Sequence, residues 1–172
     1  MKDNNASNGD NGTSTFSSSN SNNRQLTYKI LIVDDEPDIL YAFQKGLERN
    51  GFEVDAFTDP EEALSHFKNK NRITNNSTTN ITTTNTFTNS NYYYDLLLLD
   101  FKMPKMNGFE LYTEMKKVVQ DNKITKVCFI TAFEEYYNTL KKDFPALDVR
   151  CFIKKPIEVQ DLVREIKAEL DK

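Results

Sequence analysis

The chain has 172 residues with 22 basic and 26 acidic side chains, and its net charge of −4 excludes a nucleic-acid binder working through bulk electrostatics. One histidine, His66, and two cysteines, Cys128 and Cys151, exclude His/Cys zinc sites and a disulfide framework. The longest apolar runs, such as 30–33 and 96–99, have four residues, and the polar N-terminus lacks the apolar core of an export signal, so a soluble, cytoplasmic protein without a membrane partner is expected.

Residues 3–23 hold 15 Asn, Ser or Thr among 21, and 71–91 hold 17 among 21. Such stretches lack the apolar side chains that offset the entropy of ordering, so 1–26 is expected to be a disordered tail and 71–91 a flexible insertion. The remaining 125 residues suffice for one core, which makes 27–172 a single domain.

Within that domain Lys29–Val33 is a continuous β-rich run ending in Asp34-Asp35, the pattern of a strand buried on both faces. Pro37 fits the first turn of a helix whose inward residues are Ile39, Leu40, Phe43 and Leu47, with Gly51 as its C-terminal cap. Glu53–Phe57 reads as a second strand. Asp59 is placed as the N-cap of a second helix, with Glu62 three residues on for a capping box and Ala63, Leu64 and Phe67 facing inward. A fully apolar strand over 95–99 follows the Asn/Thr tract and is closed by Asp100. The loop with Pro104 and Gly108 leads to a third helix carrying Phe109, Tyr112, Met115 and Val119.

Lys126–Thr131 forms a fourth strand and 134–144 a fourth helix with Tyr136, Tyr137 and Leu140. A fifth strand over 149–153 precedes a final helix with Val159, Leu162, Val163, Ile166 and Leu170 inward. Five strand–helix units in sequence make a parallel sheet with helices on both faces, because the crossovers are right-handed. The tract at 71–91 lies in a helix-to-strand connection, at the sheet edge away from ligand sites, where lengthening a loop costs only about 1–2 kcal/mol. Cys128 and Cys151 fall inside strands and read as small buried apolar residues, and His66 as an ordinary surface side chain.

Three carboxylates stand where strands end: Asp34 and Asp35 after the first, Asp100 after the third. Residues 27–70 also carry 10 acids against 5 bases, while 92–172 carry 14 of each, which points to a cation site early in the fold. Converging carboxylates must hold protons or bind a cation, and an oxygen-only set suits Mg²⁺. With the metal present Asp100 stays nucleophilic enough to attack phosphorus. Thr131 ends the fourth strand with a hydroxyl and Lys155 follows the fifth with an ammonium, both able to receive phosphoryl oxygens. Lys154 competes with Lys155 for that role; the residue directly before Pro156 is preferred.

The runs Ile30-Leu31-Ile32-Val33-Asp34-Asp35-Glu36-Pro37 and Leu97-Leu98-Leu99-Asp100-Phe101-Lys102-Met103-Pro104-Lys105-Met106-Asn107-Gly108, the pair Thr131-Ala132 and the run Phe152-Ile153-Lys154-Lys155-Pro156 closely resemble the receiver (CheY-like) domains of two-component response regulators. The resemblance covers 27–172 apart from the tract. It implies an α/β fold with a five-stranded parallel sheet in the flavodoxin-like order 2-1-3-4-5. It also implies that Asp100 accepts the phosphoryl group, that Asp34, Asp35, Asp100 and the backbone carbonyl of Lys102 hold Mg²⁺, and that Thr131 and Lys155 contact the phosphoryl oxygens. Phe152 takes the place of the switch aromatic, which turns inward as Thr131 is drawn to the phosphate and alters the surface of the fourth helix, fifth strand and final helix. Lys102 and Phe133, two residues after Asp100 and Thr131, flank the path of an attacking water and imply slow self-dephosphorylation.

The reading is a stand-alone phosphoacceptor, not an enzyme acting on other molecules, that takes its phosphoryl group from a sensor histidine kinase or phosphotransfer protein and signals to a downstream protein. The alternative is a degenerate receiver used as a scaffold. An aspartate-nucleophile phosphatase of the haloacid-dehalogenase kind needs an acid where Lys102 stands, and the acidic 34–38 segment would repel the phosphate of a flavodoxin-like cofactor.

Overall fold

The computed structural model describes residues 27–76, 93–119, 126–132 and 151–172. Five parallel strands, β1 (Lys29–Val33), β2 (Glu53–Phe57), β3 (Leu96–Asp100), β4 (Lys126–Thr131) and β5 (Cys151–Lys154), form one sheet in the order β2-β1-β3-β4-β5. Among the described residues four helices pack on it: α1 (Pro37–Arg49), α2 (Pro60–Asn76), α3 (Gly108–Val118) and α4 (Val159–Leu170).

Alternate side chains of each strand feed opposite layers. Ile30, Ile32, Leu96, Leu98 and Ile130 meet Leu40, Phe43, Leu47, Leu162 and Ile166 of α1 and α4. Leu31, Val33, Leu97, Leu99 and Phe129 meet Ala63, Leu64, Phe67, Leu111 and Met115 of α2 and α3. Both layers being dry, β1 and β3 are buried at every position, which is why their sequences run apolar without alternation. The edge strand β2 pairs only with β1 among the described strands and keeps the polar Glu53 and Asp55.

The helix ends follow from local chemistry. Asp59 Oδ1 accepts from the backbone N–H groups of Glu61 at 2.8 Å and Glu62 at 3.2 Å, as its placement before α2 predicts. Gly51, just past α1, adopts φ 88°. A full capping box starts α3: Asn107 Oδ1 accepts from the Glu110 N–H at 2.8 Å and Glu110 Oε2 from the Asn107 N–H at 3.0 Å.

Several expectations are corrected. Asp100 is itself the last residue of β3, which starts at Leu96, and β5 extends to Lys154. Leu111 supplies the buried face of α3 together with Tyr112 and Met115, leaving Phe109 half-buried and Val119 past the last turn. The tract from 71, expected to be flexible, is helical through Asn76, because extending a helix already nucleated upstream costs little even for polar residues. Buried Asn71 adds a bond from its Nδ2 to the Phe67 carbonyl at 2.9 Å. Cys128 and Cys151 are buried as expected, but as a bonded pair rather than as small apolar residues: the β4–β5 register sets them directly opposite each other, Cα atoms 4.5 Å apart, and a disulfide joins them. The expected tail 1–26, the rest of the insertion, the helix at 134–144 with Tyr136 and Tyr137, and Phe133 lie outside the described residues. No helix among the described residues is long and apolar enough to cross a membrane.

Candidate functional site

All five strands being parallel, their C-terminal ends share one edge, and between β1 and β3 the chain leaves toward opposite layers, opening a crevice there. Asp34 follows β1, Asp100 ends β3, Thr131 ends β4 and Lys155 follows β5. Two backbone bonds extend the ladder into the crevice: the Lys155 N–H to the Thr131 carbonyl at 2.8 Å and the Phe101 N–H to the Ile130 carbonyl at 2.9 Å. The chain after Asp100 then folds back over it. The Gly108 N–H donates to the Phe101 carbonyl at 3.1 Å, and a Cβ on Gly108 would come within 2.2 Å of the Asp100 carbonyl oxygen, so that position requires glycine.

The resulting crevice, about 440 Å³, is lined by Asp35, Glu36, Asp100, Lys102, Thr131 and Lys155 among others. Carboxylate oxygens of Asp34, Asp35 and Asp100 lie within 4.8 Å of one another. Lys155 is buried and its Nζ sits 2.8 Å from Asp34 Oδ2, 3.1 Å from Asp100 Oδ2 and 3.1 Å from Glu36 Oε1. Asp34 Oδ1 accepts from the Glu36 N–H at 3.1 Å, and Asp100 Oδ1 from the Lys102 N–H at 3.3 Å.

The electrostatics are those of a crowded anionic site. Burial pushes the carboxyl of Asp34 above the usual aspartate range, against the opposing pull of Lys155. Burial does the same to Asp100, with the nearby Asp34 charge adding to it and Lys155 opposing. Burial alone would lower the Lys155 ammonium, but its contacts with Asp34 and Asp100 outweigh that and raise it well above the ordinary lysine value. Asp34 Oδ2 is fully buried and lies 2.8 Å from the Lys155 ammonium. A buried aspartate oxygen beside two further carboxylates is an oxygen-only donor set that fits a hard divalent cation.

Asp34, Asp35, Asp100, Lys102, Thr131 and Lys155 thus lie together at this edge, and Lys154 is exposed at the end of β5. Phe152 lies apart from them, half-buried in the α2/α3 layer, with its ring centroid 5.7 Å from that of Phe129. The contact the sequence reading missed is Glu36. Its signal was a long acid at a helix N-cap, where a shorter acceptor would cap better.

Residues 30–167 match the response regulator receiver domain family. The chain belongs to that family. Among curated relatives it is similar to the response regulator ArlR of Staphylococcus saprophyticus, 29% identical over 143 residues, covering 83% of this chain and 52% of that protein. It is also similar to the peroxide stress-activated histidine kinase mak3 of Schizosaccharomyces pombe, 22% identical over 83% of this chain but 5% of the kinase. The receiver thus spans about half of the first protein and a small part of the second. Among solved structures, a CheY-like receiver domain protein from Methanospirillum hungatei superposes with a TM-score of 0.61 and 27% identity, covering 84% of this chain and 94% of that one. Receivers are the signalling phosphoacceptor modules of phosphorelays.

Proposed function

We propose that Asp100 is the residue phosphorylated, receiving its phosphoryl group from a phosphohistidine of a sensor histidine kinase or a phosphotransfer protein. The observation that carries this is the position of Lys155 Nζ, 3.1 Å from Asp100 Oδ2, in a crevice where three aspartates converge. An Asp100 oxygen attacks phosphorus in line, the P–N bond to the imidazole breaks, and the phosphoryl group ends on Asp100 as an acyl phosphate. Lys155 and the Thr131 hydroxyl receive the phosphoryl oxygens.

Asp34, Asp35, Asp100 and the Lys102 backbone carbonyl are the groups that would hold Mg²⁺. Bound there, Mg²⁺ neutralises phosphoryl charge that the acids would otherwise repel. As Thr131 is drawn toward the phosphate, Phe152 turns in, and the surface formed by β5 and α4 changes its affinity for a downstream protein. Lys102 flanks the approach of water and slows hydrolysis, so Lys102→Asn shortens the acyl-phosphate lifetime. The cytoplasm is proposed as the protein's location.

Incubation with acetyl phosphate and Mg²⁺ tests the reading by intact mass. The chain gains one phosphoryl group, and Asp100→Asn gains none. Equal modification of both, or turnover of an external phosphoester, would refute it. An inert wild-type chain would instead support a scaffold.

A further inference from the structure

Glu36 occupies the N-cap of α1, yet its side chain makes no cap hydrogen bond. It reaches across 119 residues of sequence to Lys155, Oε1 to Nζ 3.1 Å. An ammonium has three N–H groups, and Lys155 faces three carboxylates: Asp34, Glu36 and Asp100. A phosphoryl group arriving on Asp100 needs one of those donors, so one existing contact must give way.

The three differ in what replaces the ammonium when it leaves. Asp34 has the shortest contact and a side chain only 1% exposed, so releasing it strands a charge in a dry site. Asp100 carries the incoming group itself. The Glu36 side chain is 58% exposed, and water solvates it once the lysine turns away. Resting on the phosphoacceptor reading above, we propose that Glu36 is a positioning residue. It holds Lys155 in the unphosphorylated site and competes with the phosphoryl group for the ammonium. Every increment of Glu36–Lys155 attraction is subtracted from the affinity for a phosphoryl group.

The size follows from the exposure. Half-exposed ion pairs contribute little, so removing the competitor tightens binding of a phosphoryl mimic by about 2- to 5-fold. Because the side chain caps nothing, replacing it leaves α1 without a lost cap. Two variants separate competition through contact from simple repulsion. Glu36→Ala removes both the charge and the reach. Glu36→Asp keeps the charge but shortens the arm that reaches Lys155.

The experiment titrates beryllofluoride into the full chain at saturating Mg²⁺ and follows the bound adduct by fluorine NMR, with Mg²⁺ affinity measured separately. Competition predicts that both variants bind beryllofluoride about 2- to 5-fold more tightly than wild type, with Glu36→Asp retaining wild-type Mg²⁺ affinity. Tightening in Glu36→Ala alone would assign the effect to the field of the charge and overturn the proposal, as would no tightening in either. A wild-type chain that forms no adduct would overturn the phosphoacceptor reading itself, an outcome distinct from both.

Discussion

Two lysines, each 8% exposed, sit at opposite edges of the same sheet and do different things. Lys29 opens β1 at the N-terminal edge, where its Nζ donates to Glu53 Oε1 at 2.5 Å and Tyr93 Oη at 2.8 Å and lies 4.1 Å from the Tyr93 ring centroid. Burial pulls its pKa down, but those hydrogen bonds and the Glu53 charge outweigh it and leave the ammonium raised. One cation meets one carboxylate, and its backbone N–H adds a bond to Asp95 Oδ2 at 2.7 Å. Lys155, at the C-terminal edge, meets three carboxylates within 3.1 Å, with Asp35 close by. A buried ammonium with a matched partner fastens strands together. One outnumbered by acids marks a site short of positive charge, where a metal or a rearranging phosphoryl group has something to offset.

That contrast is sharpened first by Lys155→Met. Leaving Asp34 and Asp100 buried without their cation costs about 3 kcal/mol at neutral pH. Saturating Mg²⁺ restores much of it, as denaturant melts with and without the metal would show. A second variant, Lys29→Met, costs about 1–2 kcal/mol, less because Glu53 is half-exposed and can be solvated. Mg²⁺ recovers none of this loss, and beryllofluoride binding is unchanged. Equal metal rescue of both variants would erase the distinction between the two edges.

The smallest effect is in pH. Asp34 and Asp100 titrate above their unfolded values, so the folded chain holds protons that the unfolded chain has released. Their contribution favours folding at low pH and is lost as pH rises from the ordinary aspartate range through the raised values. Thermal melts from about pH 4 upward, compared with Asp100→Asn, should show the wild type losing relative stability across that interval. Mg²⁺ flattens the difference. Parallel profiles would mean that Asp100 is not held in an unfavourable charged state.

What could be read from the sequence was what is local or repeats along an element. Ile30–Val33 and Leu96–Leu99 announced doubly buried strands because both layers remove water. Leu40, Phe43 and Leu47 announced the inner face of α1 by spacing. Asp34, Asp100, Thr131 and Lys155 were legible because each marks the end of a strand, and parallel strands end together. The pairing of Cys128 with Cys151 was not legible, since it depends on the β4–β5 register, and 22 intervening residues carry no trace of that register. Nor was the bridge from Glu36 to Lys155, which depends on the reach of one side chain across a crevice. The continuation of α2 through Asn76 was hidden by composition, because Asn and Thr read as loop whether or not a helix upstream carries them along.

The most direct test of the charge-deficient crevice as a phosphoacceptor is to treat the phosphorylated chain with borohydride and map the product by tandem mass spectrometry. Borohydride reduces an aspartyl phosphate to homoserine. Homoserine at position 100, formed with Mg²⁺ and absent when the metal is chelated, is the predicted result. Aspartate unchanged at 100, or the label at Asp34, Asp35 or another residue, would contradict the account.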